Sequence, residues 1–150
     1  KHYNPLPYLL QLLLEIHGLR DQSAALYSVM AELYSNALEH GVLGLDSRLK
    51  RDVQGFTDYY RQRNERLALL SNGYIRVHVD VLPTQAGGRL SLRIEDSGPG
   101  FDVESVLARP LDIDRLSGRG LNLVRQLCSH VRWADGGRSV CVEFCWEALA

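Results

Sequence analysis

An α+β two-layer sandwich, with a mostly antiparallel sheet and helices on one face, is the fold that this 150-residue sequence predicts. Three observations carry the prediction. Ile75, Val77, Val79 and Val81 alternate with Arg76, His78 and Asp80, and Leu90, Leu92 and Ile94 alternate with Ser91, Arg93 and Glu95. Each run is a strand with one dry face, and the turn residues Gln85 to Gly88 join the two as a hairpin. Val131 and Trp133, a turn at Asp135 to Gly137, and Val140, Val142, Phe144 and Trp146 make a closing hairpin, with Cys141 and Cys145 on its other face. Upstream, apolar residues recur at helical spacing, which supplies the layer that covers the sheet.

With 45% hydrophobic residues, the chain is the size of one domain, 1–150, with a real core. It opens at Lys1, without a methionine, which reads as a domain cut from a longer protein. A net charge of -1 argues against nucleic acid as the partner, while cations that are nearly all arginine suit phosphate recognition. Cys128, Cys141 and Cys145 include no C-x-x-C pair, and their odd number fits a reducing cytoplasm better than a disulfide framework. No run is long enough to span a bilayer, since the segment Leu9 to Ile16 is short and carries Gln11 and Glu15. No membrane partner is expected.

Taken in order, Pro5 and Pro7 start a helix over Tyr8 to Ile16 that Gly18 stops. Its leucines lie nearly all round, so burial on more than one side is expected: core packing first, a homodimer face second. His17 reads as a helix-end histidine. Asp21 is placed to cap a second helix running to about His40, with Gly41 at its C-terminal turn. Leu26, Met30, Leu33 and Ala37 make its core stripe, and Glu32, Asn36, Glu39 and His40 a polar stripe beside it. The polar stripe can line the edge of a cleft.

Val42 to Gln54 reads as a loop, and Phe56 to Ser71 as a third helix with Phe56, Tyr60, Leu67 and Leu70 at helical spacing. Tyr59, Arg61, Arg63 and Arg66 read as its polar decoration, the arginines as a solvated face first and a partner-binding surface second. At the end of the second strand, Asp96 inherits the buried parity, and a carboxylate on the core side implies a donor from the protein or from a ligand. Gly98 and Gly100 let the backbone turn sharply and approach a bound group, with Pro99 stiffening the loop. Asp102 to Ser117 is polar and broken by Pro110, and Gly118-Arg119-Gly120-Leu121 then heads an amphipathic helix. Free N–H groups and a positive dipole end make that turn a phosphate seat.

The order E-x-x-x-N, D-x-G-x-G, G-x-G-L resembles the ATP-binding signature shared by histidine-kinase catalytic domains, DNA gyrase, heat-shock chaperones and mismatch-repair ATPases, the owners of the Bergerat ATP-binding fold. There is no Walker A lysine motif and no G-x-G-x-x-G. Within that family, E-L-Y-S-N-A-L-E-H-G is most similar to the anti-sigma-factor serine kinases, and the likeness covers about Leu26 to Phe144. The long third helix is similar to modules fused to response regulators and metal-dependent phosphatases. The resemblance implies that Asp96 accepts the adenine amino group, that Gly98 and Gly100 shape the base pocket, and that Asn36 holds Mg²⁺ against the phosphates of ATP. It implies Glu32 as general base toward a serine hydroxyl. Gly118, Gly120 and Leu121 would line the phosphates, and Asp102 to Ser117 would be a lid from which Arg115 or Arg119 neutralises phosphate charge. Where the family commonly places a basic residue before S-G, this chain has Leu116.

Two functions follow from the resemblance. One is a serine/threonine protein kinase acting on a STAS-type anti-sigma-factor antagonist. The other is an anti-sigma factor that captures a sigma factor in an ATP-dependent conformation. The ATPase half of a histidine kinase is disfavoured, because no dimerising helix pair with a phosphoacceptor histidine precedes the first motif.

Overall fold

The computed structural model describes residues 3–46, 50, 52–107 and 119–148. Its strands are β1 (Ile75–Thr84), β2 (Gly87–Asp96), β3 (His130–Ala134) and β4 (Ser139–Glu147). They form one four-stranded sheet in the order β1-β2-β4-β3, antiparallel at every pairing. Both expected hairpins are present, with Thr84 opposite Gly87 at one turn and Ala134 opposite Ser139 at the other. The register stacks the inward residues into rows across the sheet. Val79, Leu92, Val142 and Val131 form one row, and Val77, Ile94, Val140 and Trp133 the next. Strands β2 and β4 are paired on both sides, so Leu90, Leu92, Ile94, Val142 and Phe144 are buried, whereas the inward residues of edge strand β1 are half-buried. Arg76, His78, Arg93, Cys141 and Glu143 lie on the polar outer face, as the alternation requires.

The helices are α1 (Leu6–Leu13), α2 (Ser23–Asn36), α3 (Val53–Leu69), α4 (Val103–Leu107) and α5 (Arg119–Leu127). Among the described residues, no helix is long and apolar enough to cross a membrane. The α2 helix touches both α1 and α5. It buries Leu26, Met30 and Leu33 of the expected stripe and adds Val29, and Ala37, the last residue of that stripe, is buried with Leu38 just beyond its end.

Its ends differ from the expectation. A 3₁₀ turn, Arg20–Gln22, precedes it, and Gln22 occupies the cap position without a side-chain hydrogen bond, so Asp21 is not the cap. Beyond Asn36 the helix does not stop at Gly41; it widens into a π-helical turn, Ala37–Val42, in which the Leu43 N–H donates to the Leu38 carbonyl at 2.8 Å.

The first helix is shorter than Tyr8 to Ile16 and starts earlier. Leu6 and Leu13 are buried, but Tyr8 is 58% and Leu12 50% exposed, because so short a helix presents a single stripe to its neighbours. The chain turns after it at Gly18, where φ is +84°. Trp146 Nε1 there donates to the His17 carbonyl at 3.0 Å, tying β4 to the end of the first helical segment.

The α3 helix also departs from its sequence reading. Asp52 caps it, accepting from the Gly55 N–H at 2.7 Å. Tyr59 is fully buried rather than solvated, while Tyr60 and Leu70 are exposed. The reason is polar. Glu39, only 7% exposed, stands in the π turn and accepts from Tyr59 Oη at 2.7 Å and from Arg63 Nε at 2.8 Å. Arg66 Nη1 donates to the carbonyls of Leu43 and Gly44 at 2.8 and 2.9 Å, closing the chain that leaves that turn. Arg61 and Arg66 are exposed as expected, Arg61 in a solvated pair with Asp58, while Arg63 is drawn in to Glu39.

Two stability measurements test this account. Glu39→Ala strips a buried hydroxyl and two cations of their shared acceptor, and should lower the unfolding free energy by about 3–5 kcal/mol in denaturant titrations. A loss below about 1 kcal/mol would mean that α3 is held by its few apolar contacts. Burial, with a smaller push from Cys145, raises the Cys128 thiol from its ordinary 9.0 to about 11. Between those values unfolding releases a proton, so stability should be unaffected by this group below pH 9 and fall as pH climbs toward 11. Cys128→Ala should flatten that decline.

Candidate functional site

Strand β2 ends by delivering Asp96 to a position between two backbone neighbours. The Asp96 N–H donates to the Arg138 carbonyl at 2.9 Å, and the Asp96 Oδ1 accepts from the Gly98 N–H at 2.8 Å. That amide is the protein donor which the buried parity demanded, and it uses one of several acceptor positions on the carboxylate. Burial raises the Asp96 carboxyl above its ordinary value, opposed by the Gly98 hydrogen bond and by Arg138.

Across from it lies Gly41 in the π turn. A β-carbon there would sit 2.6 Å from Asp96 Oδ1, and one on Gly98 would meet the Gly41 carbonyl. Two glycines are thus required for the end of α2 and the loop after β2 to close around one carboxylate. Sequence reasoning assigned Gly41 to a helix end and missed this contact.

The loop itself is fastened on both sides. The Ser97 N–H donates to the Tyr74 carbonyl at 3.0 Å and Ser97 Oγ accepts from the Tyr74 N–H at 2.8 Å. On the other side, the Phe101 N–H donates to the Gly136 carbonyl at 2.8 Å. Gly100, at φ +81°, passes so close to Gly136 that a side chain would collide with its carbonyl. The backbone approach that Gly100 permits is therefore to the β3–β4 turn.

The second part of the site lies further back along α2. Glu32 is half-buried and hydrogen-bonds the Asn36 side chain one turn on. Burial raises its carboxyl above the ordinary value; Lys50, the Asn36 bond and His40 oppose that rise, and Glu39 adds to it. Opposite it is the first turn of α5, where Gly120 comes so close that a β-carbon would overlap the Glu32 carboxylate. Leu121 follows half-buried, and Val124 and Cys128 anchor the helix in the core. The glycine turn thus brings a helix N-terminus, with its free N–H groups and positive dipole, to the candidate base.

Nine residues separate Glu32 from Gly41, about 13 Å along a helix axis. A single helix therefore joins a carboxylate suited to a base's exocyclic amine at one end to an anion-favouring turn at the other, which fits an extended nucleoside triphosphate. Among the described residues, no three His, Cys, Asp or Glu side chains gather as a metal cage. Next to Glu32 the amide oxygen of Asn36 is a hard donor that fits an Mg²⁺ sharing its shell with phosphates. Arg115 and Gly118, with most of the expected lid, lie outside the described residues. Arg119 opens α5, and residues 103–107 of the lid segment form α4. Along the polar stripe, Glu32 meets Gly120 of α5, Glu39 bonds Tyr59 and Arg63 of α3, and His40 Nδ1 bonds the Leu45 carbonyl at 2.8 Å.

No curated protein and no solved structure matches the chain. Residues 10–146 match the family described as the histidine kinase-like ATPase domain. That span takes in both helical walls, the whole sheet and the Asp96 loop, and the α+β sandwich described above is the fold of that family. By its match over most of its length and by the architecture that carries its three motifs, the chain belongs to the family of histidine kinase-like ATPase domains.

Proposed function

We propose that this chain is an ATP-dependent serine/threonine protein kinase that phosphorylates a STAS-type anti-sigma-factor antagonist. Family membership supports ATP binding and kinase-type chemistry. The observation that carries the finer reading is the seating of the Glu32 carboxylate against the first turn of α5. A hydroxyl must shed its proton as it attacks phosphorus, whereas a neutral imidazole nitrogen attacks through its lone pair and needs no base. A carboxylate made more basic by burial, beside a helix N-terminus that favours a phosphoryl group, is fitted to a hydroxyl acceptor.

The other residues take complementary roles. Asp96 accepts the N–H of the adenine amino group, and the glycine contacts at residues 41 and 98 keep the carboxylate aimed. Asn36 offers its amide oxygen to Mg²⁺, which when bound supplies charge neutralisation at the phosphates. Its bond to Glu32 also orients the base. The N–H groups of α5 favour the equatorial oxygens of the transferring group.

The test is transfer of label from γ-labelled ATP, with Mg²⁺, to STAS-type proteins of the source organism. Acid-stable label on a partner serine or threonine is expected. Glu32→Gln should keep ATP affinity within about threefold and lose roughly 10²- to 10⁴-fold in transfer, the usual worth of a general base. Equal loss of both would make Glu32 structural. Asp96→Asn should weaken ATP binding by about ten- to a hundredfold, the worth of one charge-assisted hydrogen bond, and unchanged affinity would remove Asp96 from the base site. Tight ATP binding without transfer would instead favour an anti-sigma factor that binds a sigma factor, and acid-labile label a histidine acceptor.

A further inference from the structure

Lys50 belongs to none of the three motifs, and it is held in the cluster around Glu39. Its Nζ is 3.6 Å from Glu39 Oε2, and Glu39 already accepts from Tyr59 Oη and from Arg63 Nε. The ammonium lies 4.2 Å over the centroid of the Tyr59 ring, with the Tyr60 and Phe56 rings at 5.9 and 6.0 Å. Its side chain is only 18% exposed, so bulk water does little to disperse its charge. One carboxylate thus faces two cations, and one positive charge is left over within a largely buried cluster.

Burial raises the Glu32 carboxyl above its ordinary value, and Lys50 is among the groups that oppose the rise. Glu32, Asn36 and Glu39 follow one another along the same helix, at spacings of four and three residues. Lys50, which meets Glu39 at 3.6 Å, therefore reaches this helix about one turn beyond Asn36.

We propose that Lys50 is a further nucleotide-binding residue, an ammonium that neutralises the terminal phosphate of a bound nucleoside triphosphate and is held in place by Glu39 and the Tyr59 ring. The inference rests on reading Asp96 and Glu32 as the two ends of a nucleotide site. It adds a phosphate contact supplied by the connection between α2 and α3, outside the segment 102–118 that the sequence offers as a lid. It also gives the buried Glu39 cluster a functional reason. Tyr59 and Arg63 fix the carboxylate, the carboxylate fixes Lys50, and Lys50 meets the charge that distinguishes a triphosphate from a diphosphate.

The experiment is equilibrium binding of ATP and ADP, each with Mg²⁺, to the full chain and to Lys50→Met, Lys50→Gln and Lys50→Arg. Lys50→Met and Lys50→Gln should each lose tenfold or more in ATP affinity and less than threefold in ADP affinity, and Lys50→Arg should keep most of the preference for ATP. The glutamine variant keeps a polar end group should the methionine variant fail to fold. Unchanged ATP affinity in either neutral variant, or equal loss for ATP and ADP, overturns the assignment. Asp96→Asn separates the two levels. If wild-type protein binds ATP and Asp96→Asn does not, but the neutral Lys50 variants keep the wild-type ratio, only Lys50 is wrongly placed; if wild-type protein binds neither nucleotide, the nucleotide reading itself fails.

Discussion

The Glu39 carboxylate is the constraint on which the helical layer depends. A charge this deeply buried has to be met by donors, and it is met from outside its own helix, by Tyr59 and Arg63 of α3 and by Lys50. The α3 helix has little apolar surface with which to dock. Tyr59 is its one fully buried side chain, and burial together with the Glu39 bond pushes the Tyr59 hydroxyl above its ordinary value, so it remains a donor at any pH the protein meets. The ion cluster therefore does for α3 what an apolar stripe does for α2. It also fixes the π turn, because Glu39 and the carbonyls that Arg66 clasps all lie in or just beyond that turn.

The π turn connects this cluster to the candidate site. One extra residue per turn carries the backbone at Gly41 to the Asp96 carboxylate, where no side chain would fit. The same helix, one regular stretch earlier, holds Glu32 against Gly120. Both close approaches involve a glycine facing a carboxylate, and they define opposite ends of one span along α2. A shift of α2 along its axis would open one contact as it compressed the other, so the sheet, through β2 and Asp96, and α5, through Gly120, together fix where the helix sits.

How much of this was legible in the sequence follows from which interactions are periodic. The strands and the core stripe of α2 repeat every two residues or about every 3.6, and the structure places Leu92, Ile94, Leu26 and Met30 where those periods put them. Asp96, Gly98 and Gly120 stand out in the sequence because a strand end or a helix start punctuates the chain at each. Tyr59, Arg63, Arg66 and Lys50 leave no such trace. Each is a polar or amphipathic residue whose partner lies on another element, and on α3 a tyrosine followed by arginines has the composition of a solvated face. Gly41 was misread for a related reason: a glycine after a helical run usually ends it, and nothing local announces that the run widens instead.

The two ends of the span are built from different materials, and this bears on how a nucleotide would be read. Around Asp96 the geometry is set by backbone hydrogen bonds, from Asp96 to Arg138, from Ser97 to Tyr74 and from Phe101 to Gly136, with glycines excluding any slack. Such a frame changes little when a ligand arrives, so it suits recognition of a flat base by shape and a single carboxylate. Around Glu32 the surroundings are charged: the acid faces the helix N-terminus at Gly120, and further along the same helix Glu39 holds Lys50. Adding an anionic group there alters the balance of the whole set, and removing one phosphate alters it again. In the proposed kinase the rigid end would select the base, and the charged end is where triphosphate, diphosphate and transferred phosphoryl group would differ in free energy.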